Sequence, residues 1–87
     1  MSWSAVLSRQ AVKDAKKLKQ SGLKSKTLQL LQAIEDDPLC NPPPFEKLVG
    51  NLKGFYSRRI NIQHRLIYRV DEDSKTVHVL RMWTHYE

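Results

Sequence analysis

The stretch NLKGFYSRRINIQHRLIYRV, residues 51–70, decides the fold. It reads as two strands. The first runs from Phe55 to Ile60, preceded by Gly54. The second runs from His64 to Val70, where Leu66, Tyr68 and Val70 alternate with Arg65, Ile67 and Arg69. The connection between them is short, so the pair is antiparallel. That hairpin makes Arg59 and Arg65 neighbours across the ladder. Like charges in that position cost stability unless something negative offsets them. A guanidinium is a planar fork of donors matched to phosphate oxygens, so a phosphate is the natural offset.

The strand pattern continues downstream. Residues 71–75 (DEDSK) form a polar turn, and Thr76 to Trp83 give a last strand with Val77, Val79, Arg81 and Trp83 on one face. Upstream, residues 2–7 (SWSAVL) alternate, with Trp3, Ala5 and Leu7 on one side, which predicts a short first strand. From Ser8 the period becomes helical. Ala11, Ala15 and Leu18 form the stripe, Ser8 is the N-cap and Gly22 the stop. Lys13, Lys16, Lys17 and Lys19 occupy the remaining faces, as a solvated surface or as contacts to RNA phosphates. A second helix starts near Ser25, with Leu28, Leu31 and Ile34 as its stripe and Leu30 beside them, and ends before Pro38. Residues 36–48 (DDPLCNPPPFEKL) contain three consecutive prolines, which predict an extended loop. The expectation is one α+β domain over residues 1–87, in the order β-α-α-β-β-β. Its two N-terminal helices cover one face of a small, mainly antiparallel sheet and leave the other face open.

Composition narrows the partners. The 87 residues carry a formal net charge of +6, which favours a polyanion, RNA or DNA first. Charge for solubility alone is an equal alternative. Cys40 is the lone cysteine, so neither an internal disulfide nor a cysteine zinc set is available. No signal-peptide or membrane-spanning run is evident, so a cytoplasmic protein without membrane association is expected. The three histidines, His64, His78 and His85, form no His-x-x-x-His pair, and there is no glycine-rich phosphate loop. Cofactor-free catalysis is the remaining enzymatic option.

RNA cleavage without a metal needs few groups. A base takes the proton from a ribose 2′-OH, the oxygen attacks phosphorus, cations stabilise the phosphorane, and an acid protonates the departing 5′-oxygen. Glu46 follows the proline loop, Arg59 and Arg65 supply positive charge, and THYE (84–87) places His85 and Tyr86 after the last strand. A histidine titrates near neutral pH. Taken alone, Glu46 is more often a surface carboxylate than a base. His64 reads as structural and His78 as a strand residue.

The run GNLKGFYSRRINIQHRLIYRV, with Glu46 upstream and a terminal HYE, resembles the YoeB/Txe family of bacterial toxins, a branch of the RelE-like superfamily. The shared pattern is NL-x-G-x-[FWY]-SRRI…HRL-x-Y…HY, and it covers most of the C-terminal half. The resemblance implies a microbial-RNase-like α+β fold and a toxin that cleaves mRNA in the ribosomal A site with no metal or cofactor. It implies a cognate antitoxin whose acidic, partly disordered C-terminal segment folds onto the toxin. It also implies operator DNA binding by the toxin–antitoxin complex and contact with the ribosome and its rRNA; a homodimer is a separate expectation, from the small size of the domain. By the same resemblance Glu46 is the general base, Arg65 the transition-state cation, His85 the general acid and Tyr86 the tyrosine that helps hold the RNA or the acid in place. Arg59, Lys53, Lys47, Arg58 and Tyr56 are the expected RNA or phosphate contacts, with Lys47 or Lys53 in place of the lysine absent at Val49 and a salt bridge as the alternative role of Arg58. Phe55 matches an aromatic position for which sheet packing is at least as good a reading as base stacking. The chain departs from the pattern at Val49, where a lysine is common, at Trp83-Thr84 before the histidine, and at Glu87 beyond the tyrosine. The alternative is a degenerate homologue that only binds antitoxin and operator.

Overall fold

The computed structural model of the chain describes residues 3–40, 44–61 and 64–84. It contains β1 (Ser4–Leu7), α1 (Arg9–Gln20), α2 (Lys24–Asp36), β2 (Phe45–Lys47), a short 3-10 turn (Gly50–Leu52), β3 (Phe55–Arg59), β4 (Arg65–Asp71) and β5 (Thr76–Thr84). The five strands form one sheet in the order β1-β5-β4-β3-β2. β2 to β5 pair antiparallel in sequence, and β1 adds parallel to β5. The expected helices and hairpins are present. The difference lies in the proline segment, which contains a fifth strand: Phe45–Lys47 pairs with Tyr56–Arg58. Only three residues pair, and they follow prolines, so no alternation signals the strand.

α1 forms because its caps and its stripe agree. The Ala11 N–H donates to Ser8 Oγ at 3.0 Å at the start. At the end Gly22 has φ 76°, and the Leu23 and Gly22 N–H groups return to the carbonyls of Leu18 and Lys19. This glycine-terminated closure satisfies carbonyls the helix leaves open. Ala11 and Leu18 are buried against the sheet with Leu30 and Ile34 of α2 and Leu66, Tyr68, Val77 and Val79 of the strands. In α2 the buried stripe is Thr27, Leu30 and Ile34, one residue round from the expected Leu28, Leu31 and Ile34. Leu28 is 49% exposed. Thr27 can be buried because its hydroxyl donates to the Leu23 carbonyl at 2.8 Å.

β5 changes register against β4 twice, between Tyr68 and Ile67 and again between Ile67 and Arg65. Tyr68 faces Val79 but Ile67 faces Arg81, so Leu80 is an extra residue. The slip moves Met82, rather than Arg81, onto the inner face beside Val77 and Val79. α1 supplies the groups this irregularity leaves open. Ser8 Oγ donates to the Leu80 carbonyl at 2.7 Å. Asp14, fully buried, accepts from the Met82 N–H and from Arg81 Nε, both at 3.0 Å, and from Gln10 Nε2 at 3.0 Å. Burial pushes the Asp14 carboxyl up, but these donors outweigh it and hold it below the usual carboxylate range.

A second buried polar centre fixes the proline segment. Arg58 as a whole is 1% exposed. It donates to the carbonyls of Pro38 (3.0 Å) and Cys40 (2.9 Å) and to the Tyr68 hydroxyl (3.0 Å), which itself donates to Pro38 (2.7 Å). It also lies 5.0 Å from the centre of the Phe45 ring.

Asp14→Ala strands the Met82 N–H and should lower stability by about 1–3 kcal/mol in urea unfolding. Because the folded Asp14 is depressed, its contribution is present above about pH 4 and is lost as pH falls through the folded value. Asp14→Asn should therefore flatten the acid side of the stability–pH curve. Arg58→Met keeps the stem but removes the charged donors. It should cost about 2–3 kcal/mol and speed amide exchange around Leu39 and Cys40.

Candidate active site

Alternation along β3 divides its residues between the two sheet faces. Tyr56 and Arg58 point to the helix side, where Tyr56 packs on Phe45 and Tyr68 with ring centres 5.6 and 5.7 Å apart. Phe55, Ser57 and Arg59 point to the open side. The pairing is Glu46 with Ser57, Ser57 with Ile67, and Arg59 with Arg65. Glu46, Ser57, Arg59 and Arg65 thus share one patch of the open face. Glu46 reaches it because Arg58, on the opposite face, anchors the chain that leads into β2.

Within the patch Glu46 Oε1 lies 3.1 Å from Arg65 Nη1. The two residues stand on β2 and β4, with β3 between them, so their ion pair bridges the central strand of the site. The Glu46 side chain is 69% exposed and that of Arg65 27%. A pair this open contributes roughly 0–1 kcal/mol, so an anion that offers Arg65 more displaces the carboxylate at little cost. Arg59 has no carboxylate partner among the described residues. Beside the bridge is a cavity of ≈ 260 Å³ lined by Pro44, Phe45, Glu46, Ser57 and Arg59.

The end of β5 is brought to the same place. His64 Nδ1 is 2.7 Å from the Trp83 carbonyl oxygen, and its ring stacks on the Trp83 indole at 3.8 Å. The His64 N–H donates to Asn61 Oδ1 in the β3–β4 turn. Thr84 then sits opposite Arg65. His64 is buried and acts as a strut, as its place in the sequence suggests.

The expected contact residues separate into groups. Glu46, Arg59 and Arg65 come together. Lys47, Lys53 and Tyr56 line a different depression, of ≈ 320 Å³, with Val49, which is 81% exposed where a lysine was anticipated. Arg58 corrects its assignment as a phosphate contact: its guanidinium is enclosed and donates to backbone carbonyls, so it builds the site from behind. His85 and Tyr86 lie outside the described residues. Sequence reasoning missed Ser57, which it treated as a motif letter. The alternation Phe55, Ser57, Arg59 was the signal that it shares the face of Arg59.

Comparison with known proteins places the fold and the sequence in a family. The family model described as the YoeB-like toxin of bacterial type II toxin-antitoxin systems matches residues 7–86. A curated "Toxin YoeB" of Mycobacterium bovis is 40% identical over 58 residues, which is 67% of this chain and 66% of the relative, just under two thirds of that protein. The heterotetrameric YoeB-YefM toxin-antitoxin complex of Staphylococcus aureus contains a chain superimposing with a TM-score of 0.81 at 36% identity. That match covers 97% of this chain and 98% of the other. A YoeB/ParE toxin of Agrobacterium tumefaciens gives a TM-score of 0.86 at 25% identity, covering 95% and 99%. The two helices, the mixed five-stranded sheet and the residues 7–86 that match in sequence all lead to one conclusion: the chain belongs to the YoeB-like toxins of bacterial type II toxin–antitoxin systems.

Proposed function

We propose that this chain is an endoribonuclease that cleaves mRNA in the ribosomal A site by internal attack of the 2′-OH, without a metal, and that a cognate antitoxin neutralises it. The observation that carries this reading is the weak Glu46–Arg65 bridge beside Arg59, on the sheet face that the helices leave open. A bound phosphodiester competes with Glu46 for Arg65. Arg65 and Arg59 then face the phosphate, and Glu46 is released next to it as a free carboxylate. Glu46 takes the proton of the 2′-OH. The 2′-oxygen bonds to phosphorus, the two arginines stabilise the phosphorane charge, and the bond to the 5′-oxygen breaks. His85 returns a proton to that oxygen, with Tyr86 as its support. The products are a 2′,3′-cyclic phosphate and a 5′-hydroxyl.

The requirement for a ribosome is part of the same proposal. The lysines of α1, Lys13, Lys16, Lys17 and Lys19, are all exposed, and the net charge is +6. Such a surface suits rRNA phosphates. The antitoxin we expect is acidic, with a segment that orders on binding, and operator DNA is bound by the complex of the two. A cytoplasmic site of action fits this role.

Primer extension on mRNA incubated with the protein, with and without 70S ribosomes, tests the reading. Cuts within the A-site codon that require the ribosome are expected. Arg65→Ala should lower the cleavage rate by about 10²–10³. Glu46→Gln and His85→Ala should each lower it by about 10²–10⁴. Folded wild-type protein that cuts nothing would overturn the enzyme reading in favour of a binding module. Cleavage of free RNA to the same extent would overturn the ribosome requirement.

A further inference from the structure

Ser57 is 3% exposed, and its hydroxyl has no hydrogen-bond partner among the described residues. A buried hydroxyl left in this state is destabilising, so its presence asks for an explanation. Size explains part of it. The Glu46–Arg65 bridge crosses β3, and a large side chain at Ser57 would block the crossing. Alanine or glycine would satisfy that need equally well. The oxygen itself is unexplained by the resting structure.

Its surroundings identify a partner. Ser57 is paired directly with Glu46 across the β2–β3 ladder, and the two lie on the same face. Directly opposed residues have Cβ atoms roughly 5 Å apart, within reach of a serine–carboxylate hydrogen bond after one rotamer change of the glutamate. At rest Glu46 is turned away toward Arg65 on the far side of β3. We propose that Ser57 is a positioning residue: when RNA takes Arg65, Glu46 swings back and accepts a hydrogen bond from the Ser57 hydroxyl, which aims the carboxylate at its proton. The hydroxyl, without a partner among the described residues at rest, is thus satisfied in the working toxin. This inference rests on the functional reading above for its trigger, but the hydrogen bond itself is independent of cleavage.

Two measurements decide it. The first is a double-mutant cycle in urea with Ser57→Ala and Arg65→Ala. With Arg65 present, removing the hydroxyl should leave the unfolding constant unchanged or smaller. With Arg65 removed, Glu46 is already free to turn, and the same substitution should raise the constant roughly fivefold. A cycle without coupling overturns the hydrogen bond, whatever the protein cleaves. The second is single-turnover cleavage on programmed ribosomes. Ser57→Ala should lower the rate at saturating toxin about tenfold, leave the half-saturating concentration unchanged, and be largely restored by Ser57→Thr. An unaltered rate, or a change confined to half-saturation, overturns the positioning role. Failure of the wild type to cleave, with coupling intact in the cycle, overturns the functional reading and with it the catalytic trigger, while retaining the hydrogen bond.

Discussion

The buried guanidinium of Arg58 is the interaction on which the site depends. Enclosing a cation in a domain of 87 residues is unfavourable unless its donors are met. Here they are met by carbonyls of the segment that leaves α2, by the Tyr68 hydroxyl and by the face of Phe45. One side chain therefore joins the sheet centre, the proline segment and the edge strand. The edge strand carries Glu46. The SRR triplet serves two faces at once: its middle residue holds the framework, and Ser57 and Arg59 on either side face the patch.

A carboxylate performs the matching task on the other side of the molecule. Asp14 has no place on an apolar helix stripe by composition, yet it is fully buried and bonded to β5 where the register slips. Ser8 adds a hydroxyl to the same irregularity. These two residues of one helix set the path of β5 beyond Leu80. That path carries Trp83 onto His64 and Thr84 opposite Arg65. The open-face patch is thus assembled between an arginine that holds one edge and an aspartate that steers the other strand toward it.

Much of this was legible in the residues. The alternation of Leu66, Tyr68 and Val70, the short turn before it and the helical stripe of α1 each encode local geometry, so the hairpins, the helices and the Arg59–Arg65 pairing could be read directly. What could not be read was non-local. The strand at Phe45–Lys47 exists only through its pairing with β3. Arg58 looks like any cation until the carbonyls 18 and 20 residues upstream fold over it. The extra residue at Leu80 is invisible without its partner strand, and so the faces of Arg81 and Met82 came out exchanged. In α2, Leu28 and Thr27 exchanged places because a threonine that bonds its own helix backbone can be buried as readily as a leucine.

The position of β1 has a consequence for the order of assembly. β1 pairs with β5, and Ser4 lies beside Thr76, so the first strand in sequence waits for the last one to form. The loop it closes contains both helices and three strands. The cap of α1 is local, but the second bond of Ser8, to Leu80 72 positions away, also waits for β5. Closing so long a loop carries an entropic cost before any contact repays it, and such topologies fold slowly. The hairpins from β2 to β5 are short-range and can form early as a sheet with a bare inner face. The helices, of 12 and 13 residues, are marginal on their own and consolidate only when that face is there to pack against. A partly synthesised chain can therefore hold the arginine-rich hairpin before β5 exists, and the sheet is whole only after β5 has joined β4 and taken up β1.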